Sequence, residues 1–152
     1  MNNRLIYRFF LDDDFLRISR KIKEMEKITS GEIKVSIKDK NNFRDRKKGI
    51  HKRAEDEFYK LGMNITRDRS GILLFLQLNE RQFYILADEG INSKVQHDTW
   101  EKVKDEIQDE FRHGHFSEGI IRGIEMVGKI LSEHFPIKID DTNELSNKVI
   151  IK

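Results

Sequence analysis

The sequence predicts an α/β fold in three layers, an α/β/α sandwich whose mixed central sheet of about four strands has helices on both faces. Two apolar runs, Ile72 to Leu76 and Phe83 to Ala87, are unbroken, and strands of that kind are buried on both faces. The polar turn Asn79 to Arg81 between them predicts a hairpin, which we place at the centre of the sheet. Segments with helical periodicity lie before and after this hairpin, so helices are expected to cover it.

The first half of the chain predicts helix, strand, helix and strand in turn. Apolar residues recur at helical spacing from Asp12 to Ile28, with three acids at the start, where the helix dipole favours them. Glu32 to Lys38 alternates apolar and polar residues, which predicts a strand with one solvated face near a sheet edge. Helical spacing returns from Ile50 to Leu61 and ends at Gly62, a typical helix stop. A strand, helix, strand unit of this length normally joins parallel strands.

The second half predicts two further helices. Asp98 is a candidate cap for a helix that carries Trp100 to Phe111. Helical spacing from Ile120 to Leu131 predicts the next helix, and Pro136 marks its end. Trp100 falls in register with apolar residues of its helix, so we interpret it as a core residue.

These elements form one domain over residues 12–136. Residues 1–11 are rich in apolar and aromatic side chains but lack the unbroken core of a signal peptide, so we expect them to pack on the domain. Residues 137–152 form a carboxyl-terminal tail with one candidate short strand, Val149 to Ile151.

The composition excludes several classes of function. Lys and Arg number 29 against 27 Asp and Glu, and the signs are interspersed, which argues against a nucleic-acid surface. The basic run Arg46 to Arg53 has little aromatic interleaving, so we interpret it as a solvated face. Without cysteine there are no disulfides, thiol nucleophiles or thiolate metal sites. No apolar run is long enough to span a membrane, so a cytoplasmic monomer is expected.

Topology predicts where the acidic residues meet. The start of the first strand, the start of the second and the end of the antiparallel third strand must share one end of the sheet. This places Glu32, Asp68 and Asp88 along one rim. The neighbouring polar and charged side chains complete that rim: Arg69, Ser70, Glu89 and Asn92.

Crowded carboxylates favour a bound cation, because they otherwise raise each other's pKa. The oxygen-only ligand set, Glu32, Asp68 and Asp88, favours Ca²⁺ or Mg²⁺ over zinc. An alternative stays open, in which Glu32 and Asp88 are strand-end acids that pair with Arg69 or cap the following helix.

The same residues resemble the TPM domain. Each motif is short, and it is their order and spacing between Asp12 and Pro136 that carry the resemblance. The motifs are Thr29-Ser30-Gly31-Glu32-Ile33, Arg69-Ser70-Gly71-Ile72-Leu73, Asp88-Glu89-Gly90-Ile91-Asn92, Trp100 and Phe111-Arg112-His113-Gly114.

The resemblance implies an α/β/α sandwich that binds a divalent metal, chiefly calcium, at the acidic rim. On this chain the family motifs fall on Glu32, on Asp68 with Arg69, and on Asp88 with Asn92. Ser70 stands where the family usually has asparagine. We therefore expect a divalent-cation-binding module. The resemblance also implies two alternatives: a metal-assisted, acid phosphatase-like hydrolase, and an adaptor in protein maintenance or repair that binds a partner protein through its termini.

Overall fold

The core of the molecule is a mixed sheet. The computed structural model describes residues 5–40, 43–137 and 149–152. Within these ranges the strands are β1 (Glu32–Lys38), β2 (Gly71–Gln77), β3 (Gln82–Ala87) and β4 (Ile150–Ile151), in the order β3-β2-β1-β4. β2 is parallel to β1 and antiparallel to β3, and β4 is parallel to β1. The predicted mixed sheet of about four strands is confirmed.

Helices cover both faces of this sheet. The described α-helices are α1 (Asp12–Met25), α2 (Phe43–Arg46), α3 (Ile50–Lys60), α4 (Glu89–Asn92), α5 (Thr99–Arg112) and α6 (Phe116–His134). Short 3-10 helices span Leu5–Arg8, Met63–Ile65 and Leu78–Glu80. Side chains of α1, α5 and α6 pack on one face and those of α3 on the other, which confirms the three-layer fold. Over the described residues, no helix combines the length and apolarity needed to span a bilayer.

The two faces bury separate apolar clusters, and β2 contributes to both. Leu74 belongs to the larger cluster, between the sheet and α1, α5 and α6. Its neighbours Leu73 and Phe75 belong to the smaller cluster, with Phe58 of α3. Because side chains alternate along a strand, a strand covered on both faces has to be apolar throughout. This explains the unbroken run that the sequence shows.

Both terminal segments contact the domain where they are described. Ile6 and Phe10 are buried in the larger cluster. At the other end, the backbone N–H of Lys152 donates to the carbonyl of Ile37, and the N–H of Asp39 donates to the carbonyl of Lys152, both at 3.1 Å. Residues 138–148 of the predicted tail lie outside the described residues.

Two predictions about the sheet are wrong. The hairpin is not central, because β3 lies at the edge of the described sheet and β1 lies inside it. The alternating side chains of β1 are not solvated either, since Glu32, Lys34 and Ser36 are buried. Helix α3 packs over this face, where the Ser36 hydroxyl donates to Oε2 of Glu57 at 2.6 Å. Ser36 therefore meets a polar partner on the helix, not water.

The basic run Arg46 to Arg53 is likewise not wholly solvated. Arg53 is only 4% exposed. Its guanidinium donates to the Lys48 carbonyl and to Oε1 of Gln77, both at 3.1 Å, and to Oε1 of Glu80 at 2.6 Å. Buried arginine requires such acceptors, so Arg53 ties α3 to the connection between β2 and β3.

Asp98 precedes α5 as predicted, but its side chain makes no capping hydrogen bond. Its carboxylate instead lies 3.4 Å from Nζ of Lys102.

Candidate functional site

Strand pairing brings polar residues to one end of the sheet. Glu32 pairs in register with Gly71, and the backbone N–H of Asp88 donates to the Gly71 carbonyl at 2.8 Å. Ser70, which precedes this glycine, is buried. The starts of β1 and β2 and the end of β3 therefore lie at the same end, which is the arrangement that the sequence predicts. We call residues 68–70 and 88–92 the acidic rim.

Asp88 and Arg69 form the central contact of the acidic rim. Nε and Nη2 of Arg69 donate to the two carboxylate oxygens of Asp88 at 3.1 and 3.2 Å. The Asp88 side chain is 6% exposed, whereas that of Arg69 is 49% exposed. The hydrogen bond and charge of Asp88 raise the pKa of the Arg69 guanidinium. A buried carboxylate is thus neutralised by a cation that reaches it from solvent.

Asp88 also begins helix α4. Its backbone is extended, and one carboxylate oxygen accepts from the N–H of Glu89 at 2.7 Å. Aspartate is a favoured helix cap because it satisfies an otherwise unpaired N–H group. The alternative in which Asp88 pairs with Arg69 and caps the next helix is therefore what the structure shows for this residue.

Gly90 fixes the distance between the two loops of the acidic rim. A Cβ placed on it would lie 2.1 Å from the carbonyl oxygen of Asp68 and 2.4 Å from that of Arg69. Only glycine permits this approach. Arg69 itself has a φ of 53°, a left-handed conformation that is uncommon for residues with a side chain. Sequence reasoning missed this role, although a glycine in the first turn of a helix signals a close backbone approach.

The remaining predicted rim residues differ in their exposure and in their contacts. Glu89 is 84% exposed, and its carboxylate lies 3.9 Å from Nη2 of Arg69. Asp68 is partly exposed beside Arg67, at 4.0 Å. The side-chain oxygen of Asn92 accepts from Nε1 of Trp100 at 2.8 Å. Asn92 therefore anchors α4 to α5.

Glu32, the third predicted ligand, lies on the other side of β2 from Asp88. β1 and β3 flank β2, so the backbones at Glu32 and Asp88 are about 10 Å apart. Glu32 is buried. Burial lowers the pKa of the neighbouring Lys34 ammonium, and the negative charge of Glu32 partly opposes that shift. The role of Glu32 as a metal ligand stays a prediction.

In the described part of the chain, no three Asp, Glu or His side chains are grouped as a metal site would require. Arg69 binds the carboxylate of Asp88, and Glu32 lies across β2 from it.

Comparison with solved structures identifies proteins of similar fold. The chain resembles the BA42 protein from the psychrophilic bacterium Bizionia argentinensis, solved by NMR, with 34% sequence identity and a TM-score of 0.85. That match covers 95% of this chain and 96% of BA42. The N-terminal domain of a protein from P. gingivalis, also solved by NMR, has 17% identity and a TM-score of 0.66, over 86% of this chain and 83% of that one. This second likeness shows the fold alone.

Among curated proteins, no match was found. The sequence model of the TPM domain matches residues 8–130, which include the whole acidic rim and most of the sheet. The chain therefore belongs to the TPM domain family.

Proposed function

We propose that the chain binds a divalent cation, Ca²⁺ or Mg²⁺, at the acidic rim, and that the ion competes with Arg69 for the carboxylate of Asp88. The observation that carries this proposal is the contact of the Arg69 guanidinium with both oxygens of Asp88. A carboxylate that already binds a cationic group bidentately can serve a metal ion in the same way.

The donor chemistry supports a hard cation. Asp88, Asp68 and Glu89 supply carboxylate oxygens and no nitrogen or sulfur ligand, and Ca²⁺ and Mg²⁺ prefer such oxygens. Glu32, whose backbone lies about 10 Å from that of Asp88, remains a predicted further ligand. Arg69 is half exposed, so its side chain is able to leave Asp88 and enter water when an ion arrives. A bound ion would supply positive charge to the rim in its place.

Opposite effects of two substitutions test the proposal. Asp88→Asn keeps the helix cap, because asparagine caps as well as aspartate, but removes the charge that holds the ion. Arg69→Gln removes the competitor. By calorimetric titration with CaCl₂ and MgCl₂, we expect Asp88→Asn to weaken binding at least about tenfold and Arg69→Gln to tighten it.

Glu106→Gln is the control, since it removes a carboxylate that also has an arginine neighbour, Arg122 at 4.0 Å, but does not belong to the acidic rim. The control should bind like the wild type. Equal binding by the wild type and Asp88→Asn, or weaker binding by Arg69→Gln, would contradict the proposal.

The same arginine supports a second candidate function, a metal-assisted phosphatase. Here the half-exposed guanidinium of Arg69 would stabilise negative charge on a phosphoryl group while water attacks phosphorus and the alcohol leaves. Arg69→Gln then has the opposite consequence, because hydrolysis of p-nitrophenyl phosphate would fall while cation binding rises. Hydrolysis that is unchanged in both Arg69→Gln and Asp88→Asn excludes this function.

A third candidate, an adaptor that binds a partner protein through its termini, is supported by two exposed apolar residues near the amino terminus. Leu11 and Leu16 are 71% and 57% exposed. A pull-down that compares the wild type with Leu11→Ser/Leu16→Ser tests it. Identical partner sets would exclude this amino-terminal surface.

A further inference from the structure

A cleft of about 640 Å³ lies at the end of the sheet opposite the acidic rim, where β2 ends and β3 begins. Its volume falls in the range of small-molecule sites, about 300–1,000 Å³. β2 has seven residues, so the two ends of the sheet are about 20 Å apart. The cleft and the acidic rim are therefore separate places.

Phenylalanine rings form a continuous wall of this cleft. The rings of Phe9 and Phe116 meet edge to face at 4.8 Å between centroids. Phe116 contacts Phe111 at 5.6 Å, and Phe111 contacts Phe83 at 5.4 Å. These rings come from the amino-terminal segment, β3, α5 and α6. Because four separate segments hold them, the wall is a product of the tertiary fold and keeps its shape.

The polar border of the cleft carries positive charge only. Arg8, Arg81 and Arg112 line it together with neutral amide side chains, and no Asp or Glu is among the lining residues. In the part of the chain that the structure describes, none of these three guanidinium groups has an acidic partner. Glu80, which precedes Arg81, is bonded to Arg53 at 2.6 Å. Acids and bases are almost equal in number over the whole chain, so this border is a local excess of positive charge.

Arg81 holds a left-handed backbone conformation, with a φ of 53°. Glycine or asparagine fits this conformation with less strain. The turn between β2 and β3 thus carries a long cationic side chain at a position where glycine or asparagine would make the fold more stable. Backbone strain of this kind concentrates at binding sites.

We propose that the cleft binds a small amphipathic anion, a molecule in which a carboxylate or a phosphate group is attached to an apolar body. The guanidinium groups of Arg81 and Arg112 bind the anionic head, since arginine matches both groups with paired N–H donors. The apolar body lies along the phenylalanine wall and is removed from water there. A neutral apolar molecule lacks the group that the arginines bind, and an anion without an apolar body makes no contact with the phenylalanine wall. Both should therefore bind more weakly.

NMR titration of the ¹⁵N-labelled protein tests this proposal with octanoate, octyl phosphate, octan-1-ol and inorganic phosphate. We expect the two amphipathic anions to shift amide signals in residues 76–83 and 111–116, and to bind more tightly than octan-1-ol or inorganic phosphate. The stronger of the two anions then distinguishes a carboxylate ligand from a phosphate ligand.

Substitution of the two arginines tests whether their guanidinium groups bind the anion. Arg81→Gln and Arg112→Gln should each weaken binding of the stronger anion about tenfold. Arg20→Gln is the control, because Arg20 is exposed on α1 and does not line the cleft. Its affinity should equal that of the wild type.

The proposal would be overturned if octan-1-ol or inorganic phosphate bound as tightly as the amphipathic anions, or if Arg20→Gln weakened binding as much as the cleft variants. Signal shifts confined to residues outside the cleft would do the same. The folded state of each variant is read from the same spectra, so a loss of structure is distinguished from a loss of affinity.

Discussion

The ammonium group of Lys152 lies 3.0 Å from Oε1 of Glu57 and joins the segment of β4 to helix α3. The second carboxylate oxygen of Glu57 accepts from the hydroxyl of Ser36 on β1 at 2.6 Å. The Glu57 side chain is 2% exposed, while Lys152 remains partly in water. A buried carboxylate is destabilising unless it is paired and hydrogen-bonded. Lys152 and Ser36 together therefore stabilise a charge inside the domain.

Replacement of Lys152 by methionine should lower the free energy of unfolding by about 1–2 kcal/mol, since Glu57 keeps its burial but loses its charged partner. The figure is at the low end for buried pairs because water reaches Lys152 and screens the interaction. Urea denaturation at neutral pH measures the change.

Two further variants make this test specific. Lys104→Met removes an exposed lysine of α5, and its effect should stay within about 0.5 kcal/mol. In the double variant Lys152→Met/Glu57→Gln the loss should be smaller than the sum of the single losses, because no buried charge is then left alone. If Lys152→Met and Lys104→Met have equal effects, the contact does not stabilise the fold.

Gly90→Ala should destabilise the protein by about 1–3 kcal/mol, the usual cost of overpacking. The added Cβ would meet backbone oxygens of Asp68 and Arg69, and backbone cannot move aside as a flexible side chain does. The rim must therefore open, and cation binding at Asp88 should weaken in parallel. Thermal or urea denaturation measures the first effect and calorimetry the second.

Gly49→Ala is the control for the loss of a glycine, because a Cβ at Gly49 has nothing within 4 Å and the backbone φ of −67° suits alanine. A much smaller loss of stability is expected there. Equal losses at Gly49 and Gly90 would show that the close approach at the acidic rim is not the cause.

The three layers of the fold were predictable because each helix and strand is indicated by the pattern of apolar and polar residues within its own segment. The unbroken run of β2 requires cover on both faces, and the polar turn after it requires a hairpin. The position of β1 was not predictable in this way. Its alternating polar residues indicate water, but Ser36 faces Glu57, which follows 21 residues later in the chain. Periodicity reports the polarity of a face and does not report what covers it.

Part of the candidate site was likewise predictable from the sequence and part was not. Strand direction alone placed Glu32 and Asp88 at one end of the sheet. The parallel connection of β1 to β2 and the hairpin of β2 and β3 also placed β2 between them. The contact between Arg69 and Asp88 was expected only as an alternative to the metal site. The left-handed backbone at Arg69 was not expected, because no glycine stands at that position. The phenylalanine wall was invisible because its rings are distributed over the whole chain.

Arg81→Asn should raise the free energy of unfolding by up to about 1 kcal/mol, because asparagine adopts the left-handed conformation with less strain than arginine. The same substitution should weaken binding of octanoate or octyl phosphate in the cleft. Urea denaturation and NMR titration measure the two effects on one protein sample.

Arg69→Asn provides the comparison, since Arg69 has the same φ of 53° but is bonded to Asp88. There the relief of strain is offset by the loss of a partner for a buried carboxylate, so Arg69→Asn should be less stable than Arg81→Asn. If the Arg81→Asn variant is less stable than the wild type, backbone strain at Arg81 does not dominate the change in unfolding free energy. The arginine side chain then contributes to the stability of the fold.

The last prediction concerns alkaline pH and Tyr84 on β3. Its ring stacks on His51 of α3, with centroids 4.8 Å apart and planes at 17°. Burial, and then the charge of Glu55, raise the pKa of the Tyr84 phenol. The folded state therefore keeps its proton at a pH where the unfolded chain, with a pKa of about 10, begins to lose it.

The direction in which stability changes with pH follows from this difference in the pKa of Tyr84 between the folded and unfolded states. Below about pH 10 both states hold the proton and Tyr84 contributes its full stability, and above about pH 10 that contribution is lost as pH rises. Tyr84→Phe cannot ionise, so the stability of the wild type relative to this variant should be constant from pH 7 to 9 and fall by pH 10.5, measured by urea denaturation. Tyr7→Phe, which removes a half-exposed phenol, controls for the general effect of alkali. A difference between wild type and Tyr84→Phe that stays constant to pH 10.5 would contradict the raised pKa, because the folded and unfolded states would then release this proton together.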